Sequence, residues 1–272
     1  MPCTRPPIFS AHNIDCAMTE PIQYELDARG VATLTFNRPE KGNACNTAML
    51  TTLHERLAAL ENDPRCRSLV LRGNGRHFSV GADVSEPIAH GPGERLSLPG
   101  IIGQIDAFPK PTIAAVQGAC VGGGLAFAAV CDVVFAAHDA FFAIPELRLG
   151  MSLGALGLVF ARAIGLRNLH RYGLSGERFS AYDAHRFGLA HELCAQSEFD
   201  ERIATIADHL LHAPPGATKQ AKVELQRMRA VDPALQDWLV AGFNKQLASP
   251  EVAEGRAAFR EKRKASWVPP PK

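Results

Sequence analysis

The sequence predicts an α/β core followed by a region built of helices alone. Two observations carry this reading. Up to about residue 150, short apolar runs that suit strands alternate with segments of helical period. Beyond that point the apolar residues recur mainly at helical spacing. The 272 residues contain 46% hydrophobic and 21% charged side chains, so the chain can bury a sizeable core and is neither disordered nor a bundle of membrane spans. Lys and Arg number 29 against 28 Asp and Glu, a net charge of +1. Such a balance gives no footprint for a nucleic acid or an acidic membrane surface, and points to a small partner instead.

In chain order, 22–27 (IQYELD) and 31–36 (VATLTF) read as strands joined by a turn at Ala28-Arg29-Gly30. Asn46 is placed to cap a helix over 47–61, on which Met49, Leu53, Leu57 and Leu60 share one face. Ser68–Arg72 is an apolar strand, and the Gly- and Pro-containing stretch 79–99 is a loop expected to carry function. Thr112–Gln117 is a buried strand, followed by a glycine run and a helix to about Cys131. Further strands are expected at Asp132–Ala136 and Ala140–Ile144. Later, Ile203, Ile206, Ala207, Leu210 and Leu211 form an apolar helical stripe; Leu235, Trp238, Leu239, Gly242 and Phe243 form a second; and 251–264 is a third helix, basic at its end. The organisation expected is a flexible tail over 1–20, an α/β core over 21–197 and a helical region over 198–272.

The tail holds Pro2, Pro6 and Pro7 and lacks the apolar centre of a signal peptide; Met18 is a candidate start of translation. The seven cysteines (Cys3, Cys16, Cys45, Cys66, Cys120, Cys131 and Cys194) are odd in number and widely spaced, without a C-x-x-C, which fits reduced thiols in a cytoplasm. Of the ten histidines only His209 and His212 stand at helical spacing, without a third ligand nearby, so no metal site is expected.

Three chemistries compete for the glycine-rich segments. A dinucleotide fingerprint fails because Phe127 stands where the third glycine belongs, and no G-K-[ST] follows for a P-loop. Gly150-Met151-Ser152-Leu153-Gly154 has the spelling of a hydrolase nucleophile elbow, and Asp183 or Asp200 with His191 or His209 would complete a triad in order. Its preceding segment, Pro145-Glu-Leu-Arg-Leu149, is however a poor central strand. Third, Gly81-Ala82-Asp83 and Gly122-Gly123-Gly124 could each offer an unobstructed backbone N–H, together an oxyanion hole.

Five blocks then occur in order: NRPEKGNACN (37–46), GRHFSVGADV (75–84), AAVQGACVGGGLAFAAVCDVVFA (114–136), FFAIPELRLG (141–150) and EVAEGRAAFREKR (251–263). They resemble the enoyl-CoA hydratase/isomerase, or crotonase, family over about residues 21–267. The resemblance implies a spiral of ββα units with a helical C-terminal oligomerisation region, assembled as a trimer or a dimer of trimers. It implies acyl-CoA thioester substrates and no further cofactor, since CoA arrives with the substrate.

By motif position, Ala82 and Gly123 would supply the two oxyanion-hole N–H groups. Asp83, Val84 and Ser85 would run beside the pantetheine, Lys41 and Ala44 would meet the nucleotide end, and Phe259 and Lys262 would approach CoA, often from a neighbouring subunit. Hydratases of the family usually carry two glutamates. Glu146 matches one; the other position is Ala126, which cannot hold water. A single acid/base favours double-bond isomerisation or weak hydration over fast hydration. Gly154 stands where dienoyl-CoA isomerases place an aspartate. Glu146 is expected in an apolar pocket made by Ile144, Leu147, Leu149 and Leu153, with a raised pKa. The loop over 85–99 is expected to line the acyl pocket. The alternatives are a serine hydrolase built on Ser152 and a non-catalytic acyl-CoA binder.

Overall fold

The computed structural model describes residues 20–86, 96–228 and 233–267. The expected tail other than Glu20, the centre of the 79–99 loop, Met18, Cys3 and Cys16 lie outside the described residues, as does the side chain of Leu235. Among the described residues the strands form two sheets. The larger has the order β1 (Ile22–Leu26), β2 (Val31–Phe36), β3 (Ser68–Gly73), β4 (Thr112–Val116), β6 (Val133–Ala137) and β9 (Glu192–Cys194). Only β1 runs antiparallel to its neighbour; all other pairs are parallel. Central β4 (TIAAV) is buried at every position, as a parallel strand covered on both faces must be. The smaller sheet is β5 (Ala119–Val121), β7 (Phe141–Ala143) and β8 (Arg178–Ser180).

Helix α1 (Thr47–Asn62) starts where the sequence places it: the Asn46 side chain accepts a hydrogen bond from the Met49 N–H at 3.0 Å, and Met49, Leu53, Leu57 and Leu60 are buried. Helix α2 (Leu98–Asp106) falls in and beyond a stretch read as loop. Its start is written in Ser97-Leu98-Pro99, where the Ser97 hydroxyl accepts from the Gly100 N–H at 3.1 Å and proline takes an early helical position. Helix α3 (Gly123–Ala129) starts within the glycine run, with Gly122 at its N-cap. After residue 150 come α4 (Leu156–Ile164), α5 (Leu166–Ser175) and α6 (Ala181–Phe187), but β8 and β9 interrupt them. Strands of three residues are too short to show a period, so this segment is not the purely helical one expected.

Helix α7 (Phe199–Leu211) begins just after the expected boundary at 197 and buries Phe199, Ile203 and Ala207 in the same core as the sheets. Helix α8 (Pro215–Met228) is pinned by Lys222, whose Nζ donates to Asp132 Oδ2 at 2.6 Å and to the Lys110 carbonyl at 3.2 Å. Helices α9 (Pro233–Leu247) and α10 (Pro250–Arg260) complete the chain. On the second apolar stripe, Trp238 is 72% exposed rather than buried in the core. Helix α10 instead packs on the turn that carries Glu146, with the α-carbon of Gly255 against the Leu149 backbone.

Candidate active site

The two glycine segments meet. Cys45 and Ala82 form an isolated parallel bridge, through Cys45 N–H to the Gly81 carbonyl at 2.7 Å and Asp83 N–H to the Cys45 carbonyl at 2.9 Å. That pattern leaves the Ala82 N–H without an acceptor among the described residues, and the Gly123 N–H, at the first position of α3, likewise has none. Gly81 has φ of +88°, and a methyl group on it would stand 2.9 Å from both the Gly123 nitrogen and the Val121 carbonyl. Only glycine allows that backbone and that approach together. At the next residue, a methyl on Gly124 would collide with the Ser79 carbonyl.

Glu146 opens a one-turn 3-10 helix, Glu146–Leu149, directly after β7. It is 8% exposed, and its Oε2 has no hydrogen-bond partner among the described residues. A methyl on Gly122 would stand 3.0 Å from Glu146 Oε1, so the carboxyl group lies against the start of α3. Burial pushes this carboxyl up to about 7, slightly offset by a hydrogen bond from its own backbone. The apolar surround expected is partly different. Leu149 and Leu153 border the same cavity as Glu146, Ile144 is buried in the core, and Leu147 faces a smaller neighbouring cavity.

The larger cavity has a volume of about 840 Å³, and its wall includes Lys41, Ala44, Ala82, Asp83, Val84, Ser85, Gly123, Glu146 and Phe259. Asp83 and Glu146 are the carboxylates on that wall among the described residues. Asp83 is committed elsewhere: it accepts from Arg38 at 3.0 Å and from the Ser85 hydroxyl at 2.5 Å. Burial opposes ionisation of Asp83, but the bonds from Ser85 and Arg38 hold it below the usual carboxylate range. Lys262 is not on the wall. It lies past α10 in a left-handed turn (φ 52°) that closes on the Phe259 and Ala258 carbonyls and reverses the chain. Phe259, by contrast, reaches the cavity of its own chain.

Ala126 is fully buried in α3, one turn behind Gly122, and forms no part of the wall. Of the 85–99 loop, Ser85 and Ser97 to Pro99 line the cavity, while 87–95 lie outside the described residues. His77, Leu98, Arg148 and Arg178 also line it without having been singled out from the sequence. The Ser97–Pro99 helix start was the signal available for Leu98.

Among the described residues no hydrogen bond joins Ser152 to a histidine or a carboxylate. It follows a 3-10 turn rather than a strand, and Asp183, Asp200 and His191 are engaged elsewhere. His191 accepts from the Val134 N–H at 3.0 Å, Asp183 caps α6 with Ser180, and Asp200 pairs with Arg72 at 2.6 Å. His209 lies in the last turn of α7, and the His212 ring bonds to the Asp208 carbonyl at 2.7 Å.

A mostly parallel six-stranded sheet, a three-stranded sheet that leads into a helix started by glycine, and a buried carboxyl on a shared cavity define an α/β fold with a candidate active site. The particular family follows from comparison with known proteins: residues 27–269 match the model of the enoyl-CoA hydratase/isomerase family, and the chain belongs to it. It is 34% identical over 239 residues to the 2,3-dehydroadipyl-CoA hydratase of Escherichia coli K12, covering 86% of this chain and 93% of that one. It is 32% identical to human enoyl-CoA hydratase domain-containing protein 2, a mitochondrial protein, covering 88% and 86%. The crystal structure of an enoyl-CoA hydratase from Mycobacterium avium subsp. paratuberculosis is similar, with a TM-score of 0.78 at 27% identity, covering 92% of this chain and 99% of that one.

Proposed function

We propose that this enzyme processes acyl-CoA thioesters through an enolate held by the Ala82 and Gly123 N–H groups, with Glu146 as the single acid/base. The observation that carries this reading is the Glu146 carboxyl itself, buried, unpartnered at Oε2 and set against the start of α3. With a 3-enoyl-CoA, the Glu146 carboxylate takes a proton from C2. The electron pair of that C–H bond moves toward the thioester oxygen, giving a dienolate, and the Glu146 carboxyl returns the proton at C4. Charge grows on the oxygen only as the reaction proceeds, so donors waiting for it lower the barrier by about 2.7–4 kcal/mol each. The start of α3 adds its dipole to the second donor.

Alanine at 126 weighs for isomerisation or weak hydration over fast hydration. Hydration by relatives named hydratases keeps that reaction within the proposal. The CoA moiety would lie along Asp83 to Ser85 with Lys41, Ala44 and Phe259 at its polar end. A trimer or a dimer of trimers belongs to the same reading, supported by the exposed apolar side chains of the C-terminal helices, among them Leu225, Met228 and Trp238. So does a cytoplasmic setting, supported by five buried and unpaired cysteines (Cys45, Cys66, Cys120, Cys131 and Cys194). No helix among the described residues is long and apolar enough to cross a membrane.

The test follows conjugated thioester absorbance with crotonyl-CoA and, separately, a 3-enoyl-CoA. A gain with the 3-enoyl ester exceeding the loss with crotonyl-CoA is expected, and both should fail in Glu146→Gln. Loss of activity only in Ser152→Ala would favour the hydrolase, and ester binding without any turnover would favour the binder.

A further inference from the structure

The small sheet forms a floor to the cavity, and its register sets a direction on it. Val121 of β5 pairs with Ala143 of β7, and Ala143 pairs with Arg178 of β8. These three residues stand in one row across the sheet, and all three line the cavity. Their alternates Cys120, Phe142 and Phe179 are buried on the opposite face. Val121 leads directly into Gly122 and Gly123. Arg178 therefore stands two strand spacings, roughly 10 Å, from the segment that presents the Gly123 N–H. Between them lie only the small apolar side chains of the row.

The far end of this row is cationic, and neither arginine there makes an ion pair among the described residues, although Glu177 lies close enough to Arg148 for the charges to be felt. The Arg178 guanidinium lies over the Phe141 ring at 4.3 Å and makes no ion pair among the described residues. Arg148, two residues after Glu146, lines the same wall and holds still by donating from Nε and Nη2 to the Ser175 carbonyl at 3.1 and 3.0 Å. Its stem rests on Gly176, where a methyl would stand 2.7 Å from Nε. The acid nearest in sequence, Glu177, is bound by Arg171 at 2.7 Å. The opposite edge of the sheet is the one that adjoins the Lys41 loop. Gly42 packs toward His77 and Val80, and the His77 ring accepts from the Ala119 N–H of β5 at 3.0 Å. The cavity thus has basic side chains beyond both edges of one apolar floor, with the α3 N-terminus and Glu146 between them.

We infer that Arg148 and Arg178 form a subsite for an anionic group on the acyl chain, so that the substrates are CoA thioesters ending in a carboxylate. This rests on the acyl-CoA reading above. Lys41 serves the CoA end, and the row Val121–Ala143–Arg178 takes the acyl chain from the thioester to the guanidinium pair. Planar guanidiniums match a carboxylate, and one already stacked and one already hydrogen-bonded lose little freedom on binding it.

Binding of two saturated esters tests this apart from turnover: hexanoyl-CoA and adipoyl-CoA, equal in carbon number and different in the terminal group. The wild-type protein should bind adipoyl-CoA at least about tenfold more tightly. Arg178→Gln and, separately, Arg148→Gln should remove most of that ratio. Arg178→Gln breaks no hydrogen bond of the fold, so it remains informative if loss of the Ser175 contact harms Arg148→Gln. Equal affinity for the two esters in the wild type would overturn the proposal. Equal weakening of both esters in the variants would also overturn it, and would place a CoA phosphate on the arginines. The 2-enoyl and 3-enoyl forms of the same pair report on the reaction separately. Discrimination between the saturated esters with no turnover of the enoyl forms would sink the enzyme reading and leave the subsite standing.

Discussion

Glu146 shows how its surroundings shift the ionisation of one carboxyl group. A carboxyl group in water ionises well below neutrality; here burial raises it to about 7. At that value it can accept a proton from carbon and return it under the same conditions. The shift has a cost to the fold whose sign is fixed. The folded state holds this proton more tightly than the unfolded chain, so the group's contribution is fully present below about pH 4.5 and is lost as pH rises through about 7. Glu146→Gln should remove a pH-dependent loss of stability of roughly 3 kcal/mol over that window. Denaturant unfolding at pH 5 and pH 8 checks it: the variant should gain on the wild type at the higher pH. An identical pH dependence in both proteins would mean the carboxyl is not held as described.

At the scale of elements, what matters is that two loops are pressed together by glycine. Gly81→Ala places a methyl 2.9 Å from the Gly123 nitrogen at φ of +88°. It should cost more than about 1 kcal/mol of stability and more than about tenfold in kcat. Gly165 has φ of +76° with open space around it, so Gly165→Ala should carry the conformational cost with kcat intact. Equal effects of the two on kcat would show that the approach of the loops is immaterial. Much of this arrangement is legible in the sequence, because the relevant signals are local. Asn46, the apolar face of α1 and the buried run of β4 are each read within a few residues. Glu146, Ala82 and Gly123 could be named from ordered motifs, and all three border one cavity. What escaped was set by distant partners. Strand β8 is three residues long and exists because Ala143 and Phe141 pair with it, so Arg178 carried no local mark of facing the cavity. Lys262 differs in another way: its motif is local, but the turn after α10 carries it off the wall of its own chain, and its expected approach to CoA is often from a neighbouring subunit.

For the whole molecule, the C-terminal helices do two things. Their inner faces close the cavity with Val240, Phe243 and Phe259, and Arg256 of α10 ties the loop at Val84 and Glu86 by donating to both carbonyls, at 3.2 and 2.7 Å. Their outer faces expose Leu225, Met228 and Trp238, the last at 72%, which supports the proposed oligomer. Light scattering on the eluting protein should give three or six chains per particle, and Trp238→Lys should shift it to smaller species with the fold unchanged by circular dichroism. A wild-type monomer would contradict this. The central claim is that the chain makes an enolate with Glu146 as the base, and hydrogen exchange at carbon measures that step alone. In D2O, butyryl-CoA incubated with the wild-type enzyme should take up deuterium at C2, read by NMR or mass. Glu146→Gln should slow that exchange by about 100-fold or more. Exchange that persists in the variant, or a wild type that binds the ester and exchanges nothing, would contradict the account.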